Sequence, residues 1–78
     1  MPSPQGRIQI GKYGVTENFL QTLATYFKKY KTVKISVLKS AGHTKEKVKE
    51  IEKEIIEFLG TGFRSRVLGF VIVLQRRN

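Results

Sequence analysis

Seventy-eight residues make one small domain, close to the size below which a core no longer sustains itself. The chain has no cysteine, no aspartate and one histidine, which excludes disulfides, thiolate metal centres and the usual catalytic triads. Its net charge of +9, with no apolar run of the ~18–20 residues that span a membrane, points to a polyanionic partner in a soluble, cytoplasmic setting.

Residues 1–6 lack the basic and apolar segments of a signal peptide and read as a short disordered tail, leaving a single domain over 7–78. Arg7, Ile8, Gln9 and Ile10 alternate polar and apolar, as a half-buried strand does. Gly11, Lys12, Tyr13 and Gly14 follow as a G-x-x-G loop. Glycine lets peptide N–H groups approach a ligand, and a helix start adds unpaired donors, so this pattern suits a phosphate with Lys12 as the mobile cation. A bare strand-to-helix turn would use the same two glycines.

Thr16 is a good cap for a first helix beginning at Glu17, with Val15 and Leu20 at the positions of a hydrophobic staple. Phe19, Leu20, Leu23, Phe27 and Tyr30 recur at helical spacing, and Lys28, Lys29 and Lys31 close the helix. Residues 32–38 form a second strand, with Val33, Ile35 and Val37 on one face and Lys34 and Ser36 on the other. After a loop over 39–43, Thr44 caps a second helix whose apolar stripe is Val48, Ile51, Ile55, Phe58 and Leu59. Its outer face mixes Lys and Glu as a solvated helix surface does. His43 reads as a loop or capping residue. Residues 63–68 and 70–75 are two more strands hinged at Gly69, the last apolar on both faces and therefore interior. Arg76 and Arg77 read as a basic tail.

The expected fold is a two-layer α/β (α+β) domain, β-α-β-α-β-β. Right-handed crossovers place both helices on one face of a mixed sheet of order 1-2-4-3. Ile8, Ile10, Val33, Ile35, Val37, Phe70, Ile72 and Leu74 would face the helices. The open face would show Arg7, Gln9, Lys34, Ser36, Arg64 and Arg66 around Val71 and Val73. The carboxyl ends of the first strands would gather Lys12, Tyr13, Lys39, Ser40 and Gly69, where open α/β sheets tend to bind ligands.

Charge is distributed to match. Five of the six acids fall in residues 44–59 beside four bases, while the rest of the chain carries eleven bases against Glu17 alone. Such polarity is the footprint of a nucleic-acid-binding surface.

Ile10-Gly11-Lys12-Tyr13-Gly14-Val15-Thr16-Glu17 resembles the "IGKxGlTe" signature of the chloroplast RNA splicing and ribosome maturation (CRM) domain. Val33-Lys34-Ile35-Ser36-Val37 is similar to its "VKVkv" strand, Thr61-Gly62 to its "tG", and residues 69–76, GFVIVLQR, to its closing "G-x-x-iVLYR". The resemblance runs from about Arg7 to Arg77. It implies an RNA-binding domain with the fold of the C-terminal domain of translation initiation factor 3. It also implies a phosphate-cradling loop at Gly11, Lys12, Tyr13 and Gly14. Gln75 stands where the family often has tyrosine, and the extra first helix of bacterial members is missing, so the chain looks like a minimal archaeal-type member.

The leading reading is an RNA-binding protein of large-subunit ribosome maturation that contacts ribosomal RNA or its precursor. Its candidate contacts are Gly11, Lys12, Tyr13, Gly14, Lys39, Lys34, Arg64, Arg66 and Arg7. No cofactor, metal, membrane or small-molecule substrate is expected. One alternative is a chromatin protein similar to the Alba family, although that family has proline after its "IGK" and a long basic hairpin. Another is a basic protein-interaction module of the ribosome. KH domains place their G-x-x-G loop between two helices, unlike this chain. No acid/base pair or nucleophile with a partner can be assembled, so an enzyme is not expected.

Overall fold

A computed structural model describes residues 5–42 and 44–77. The elements run β1 (Gln5–Ile10), α1 (Glu17–Lys29), β2 (Thr32–Val37), a 3₁₀ turn (Lys39–Ala41), α2 (Lys45–Leu59), β3 (Phe63–Leu68) and β4 (Val71–Arg76). They form the two-layer fold expected, with sheet order β1-β2-β4-β3. β1 and β2 are parallel, while β4 is antiparallel to both β2 and β3.

Hydroxyl caps open both helices. Thr16 Oγ1 accepts from the Phe19 N–H at 3.0 Å and Thr44 Oγ1 from the Lys47 N–H at 3.1 Å. α2 ends at Gly60, whose φ of +86° is easy only for glycine and whose N–H reaches the Ile56 carbonyl at 2.8 Å. α1 ends one residue before Tyr30, whose N–H closes on the Tyr26 carbonyl.

The core lies between the helices and one sheet face. Val33 pairs with Leu74 and Ile35 with Ile72 across the β2–β4 ladder, and all four are fully buried. Leu23 of α1 and Val48 and Ile55 of α2 close over them, also fully buried. Phe27 and Phe63 meet edge to face at 4.7 Å, tying α1 to the edge strand β3. Ile8 and Phe70 pack against this core but remain partly exposed. No helix among the described residues is long and apolar enough to cross a membrane.

The structure differs from the sequence-based expectation at three places. β1 starts at Gln5, so the tail expected over 1–6 loses two residues: Gln5 and Gly6 pair with Thr32 and Val33. Residues 1–4 lie outside those described, as do His43 and Asn78. Phe58 does not belong to the buried stripe of α2 and is 48% exposed, while Ile56 packs on the core instead. Arg76 is a residue of β4 rather than of a tail, with its N–H donated to the Lys31 carbonyl at 2.9 Å.

Gly6 explains why Tyr26 and Tyr30 lie on the sheet. A Cβ at Gly6 would stand 2.7 Å from Tyr26 Cδ2 and 2.8 Å from Tyr30 Cδ2, inside contact distance of two rings. Gly6→Ala should therefore destabilise the fold by about 1–3 kcal/mol through overpacking. Gly62→Ala, where a Cβ meets nothing within 4 Å, should change it little. Urea unfolding of the two variants beside the parent checks the difference.

Candidate nucleic-acid interface

The glycine loop is a tight turn between β1 and α1. The Gly14 N–H donates to the Gly11 carbonyl at 2.9 Å, and Gly14 has φ +63°, a left-handed conformation that costs an L side chain roughly 1–2 kcal/mol. A Cβ added at Gly14 would meet nothing within 4 Å. Glycine is thus required there by the backbone, and the space in front of it is open. Tyr13 is 79% exposed, and Lys12 Nζ sits 5.2 Å from its ring centroid. This cation–π contact keeps the ammonium and the ring together at the tip of the loop. Thr16 then starts α1, so the positive end of the helix dipole lies directly behind the turn.

The neighbouring turn abuts this loop because β1 and β2 are parallel and end side by side. The Leu38 N–H donates to the Ile10 carbonyl at 3.0 Å, extending the ladder one residue past the end of β2. A Cβ on Gly11 would lie 3.3 Å from Ser40 Oγ, so the turn carrying Lys39 and Ser40 touches the loop. Lys39 is exposed there. The β3–β4 hairpin reaches the same end: the Phe70 carbonyl accepts from the Val37 N–H at 2.8 Å, and Gly69 turns with φ +62°. Lys12, Tyr13, Lys39 and Gly69 therefore belong to one end of the sheet, as the strand order predicts.

The other candidates share the uncovered sheet face, separate from the loop. Arg7 is the register partner of Lys34, Lys34 of Val73, and Val73 of Arg66, which sets three bases in one row across all four strands. Arg64 stands in the adjacent row, opposite Gln75. Lys34 is half-buried, and Arg7, Arg64 and Arg66 are exposed. Leu68 was missed in the sequence reading. Its parity with Arg64 and Arg66 places it on this face, where it is 53% exposed beside Val71 and lines a shallow depression with Arg7, Lys34 and Val73.

Among the described residues, none of these bases has an acidic partner. The ion pair among the described residues is Lys47–Glu50, at 3.8 Å on the exposed side of α2. Acids gather elsewhere, where Glu17, Glu54 and Glu57 rim a groove floored by Leu20 and Phe58. The surface is polarised as the charge count implies, and no group of three or more metal-ligating side chains occurs among the described residues.

Because the loop glycine is demanded by φ, Gly14→Ala should cost about 1–2 kcal/mol of stability even though its side chain has room. Thermal melts of Gly14→Ala beside Gly62→Ala, whose φ is not positive, test that assignment.

Neither the curated proteins nor the solved structures contain a match to this chain. The model of the CRS1 / YhbY (CRM) domain family matches residues 4–75, nearly its whole length. The glycine turn, the polarised charge and the 1-2-4-3 sheet thus belong to a member of the CRM domain family, a family of RNA-binding domains rather than enzymes.

Proposed function

We propose that this domain binds structured ribosomal RNA, or its precursor, during maturation of the large ribosomal subunit, and that the Gly11–Lys12–Tyr13–Gly14 loop clamps backbone phosphates. The observation that carries the reading is the open left-handed turn at Gly14, flanked by the exposed Lys12 and Tyr13 and backed by the start of α1. A phosphate can come close to such a backbone, and Lys12 supplies the charge. Lys39 adds a second cation from the adjoining turn. The CRM family match over residues 4–75 supports an RNA partner for this surface.

Arg7, Lys34, Arg64 and Arg66 extend the basic surface along the open face. Phosphate contacts fix position and orientation without reading sequence, and duplex RNA is recognised mainly by shape, phosphates and 2′-hydroxyls. Selectivity on this account comes from the fold of the RNA. The chromatin-like alternative loses support from the β3–β4 connection. Leu68 pairs with Val71 across a two-residue turn, which leaves no arm to wrap a duplex.

Affinity for a ribosomal RNA fragment, measured by fluorescence anisotropy between 50 and 200 mM salt, tests the clamp. The logarithmic slope should be about −0.7 to −0.9 per phosphate contact. Lys12→Ala should lose about 1 kcal/mol and flatten the slope by about one, and Lys53→Ala on the balanced face of α2 should do neither. Gly14→Asp, which sets a carboxylate in the phosphate site, should lose more than Lys12→Ala. Equal losses at Lys12 and Lys53 would show that bulk charge matters and the loop does not. Ultraviolet crosslinking in native cells tests the ribosomal assignment, with reads expected in one region of large-subunit RNA. Reads spread over all RNA by abundance would overturn it.

A further inference from the structure

A second basic cluster lies at the end of the sheet opposite the glycine loop, where β2 and β3 begin and β4 ends. Lys31, Arg64, Gln75, Arg76 and Arg77 line a cleft of about 150 Å³ there. That is well below the ~300–1,000 Å³ of a small-molecule pocket but has room for a single oxyanion. Four of the five lining residues are cations and none is an acid.

The cluster is held on fixed backbone. The Arg76 N–H is bonded to the Lys31 carbonyl at 2.9 Å and the Arg77 N–H to the Gly62 carbonyl at 3.0 Å. Both arginines are therefore anchored to the strand ends beside them. By its register opposite Phe63, Arg76 starts from the helix-facing side of the sheet. Its Nε is buried and has no hydrogen-bond partner among the described residues. A buried charged donor left unpaired is costly, and Arg76 belongs to the lining of this cationic cleft, so an anion bound there offsets that cost.

Arg64 decides which anion. It lines this cleft and also the part of the open face formed with Arg66 and Val73, so the cleft continues the basic row of the sheet. A ligand with repeated charges can follow that surface, and a lone anion cannot. We propose that Lys31, Arg64, Arg76 and Arg77 form a second phosphate site, which holds a backbone phosphate of the same RNA that the glycine loop engages. This rests on the RNA-binding reading of the domain, and places an anchor at each end of the sheet. On binding, the Arg76 side chain turns its Nε–H toward the phosphate, and the exposed Arg77 and Lys31 close on it from the solvent side.

The test follows the Arg76 Nε–H resonance of the full chain by ¹H–¹⁵N correlation NMR, with inorganic phosphate and then a ribosomal RNA duplex as the probes. Both should shift it saturably, and Lys12→Ala should leave the phosphate response intact. Arg64→Gln combined with Arg77→Gln alters two exposed side chains. The pair should keep the parental melting temperature, lose about tenfold in RNA affinity at 50 mM salt and flatten the salt slope by about two. Arg76→Lys, which keeps the charge and removes the Nε–H donor, should lose RNA affinity while Arg76→Gln loses more. An unshifted Nε–H at saturating RNA with unchanged affinity in the double variant would overturn the site and leave the loop clamp standing. A shift with phosphate but none with RNA would reduce the cleft to a free-anion site and overturn the RNA assignment. Loss in the double variant beside no loss in Lys12→Ala would uphold the cleft and sink the loop.

Discussion

The insertion of β4 between β2 and β3 is the constraint on which the rest of the molecule depends. β3 cannot occupy the centre, because Arg64, Ser65 and Arg66 are exposed in succession and leave it only Phe63 and Val67 to bury. β4 offers Val71, Ile72, Val73 and Leu74, apolar toward both faces. Placing β4 inside joins Ile72 to Ile35 and Leu74 to Val33, and this gives α2 a floor on which Val48, Ile51 and Ile55 pack. Because β4 enters antiparallel, its first residues lie beside the end of β2, at the glycine-loop end of the sheet, and its last beside the start of β2. Both ends of the basic surface are set by that one direction.

The open face carries charges that the fold alone does not need. Charged side chains on edge strands discourage edge-to-edge association, which accounts for Arg7 on β1 and for Arg64 and Arg66 on β3. It does not account for Lys34, which is half-buried on the interior strand β2 with Arg7 directly opposite. Like charges opposed across a ladder destabilise it, on the scale of roughly 0.2–1 kcal/mol that cross-strand pairs carry. Six glutamates were available to offset this, and the structure spends them on α2 and on the groove at Glu17. An uncompensated row of cations is stable in salt solution and becomes favourable when a polyanion neutralises it.

The elements most legible in the sequence were those fixed by local chemistry. Thr16 and Thr44 are caps whose hydroxyls can reach only the N–H groups two or three residues on, so both helix starts follow from single residues. The strand order followed from the two-sided apolarity of β4. Phe58 was misplaced for a reason of geometry. At 3.6 residues per turn it lies about 65° to one side of the mean direction of Val48, Ile51, Ile55 and Leu59, and Ile56 about 95° to the other. Periodicity cannot say how far packing extends over each flank: Phe58 ends at the open groove beside Leu20 of α1, while Ile56 packs on the core. Gly6 escaped because its role is fixed by Tyr26 and Tyr30, some twenty residues away. Of the site residues, the loop and the open-face bases could be placed from motif and parity, and Leu68 could have been by the same parity. Lys31 and Arg76 could not, because their association depends on a backbone hydrogen bond between the start of β2 and the end of β4.

Distance determines what the two ends of this sheet can do together. Each strand has six residues at about 3.3 Å per residue, so the ends stand roughly 20 Å apart. That is about twice the Debye length of ~10 Å at 0.1 M salt, and charges at one end scarcely sense those at the other. A single phosphate therefore gains from one end only. An RNA long enough to reach both gains from each, and its second contact forms at the effective concentration set by the first. The rigid sheet fixes that separation, so a folded RNA presenting two phosphates at the matching distance is favoured over a flexible strand that must be ordered to do so. On the two-anchor proposal, selection of structured RNA requires no contact with a base edge.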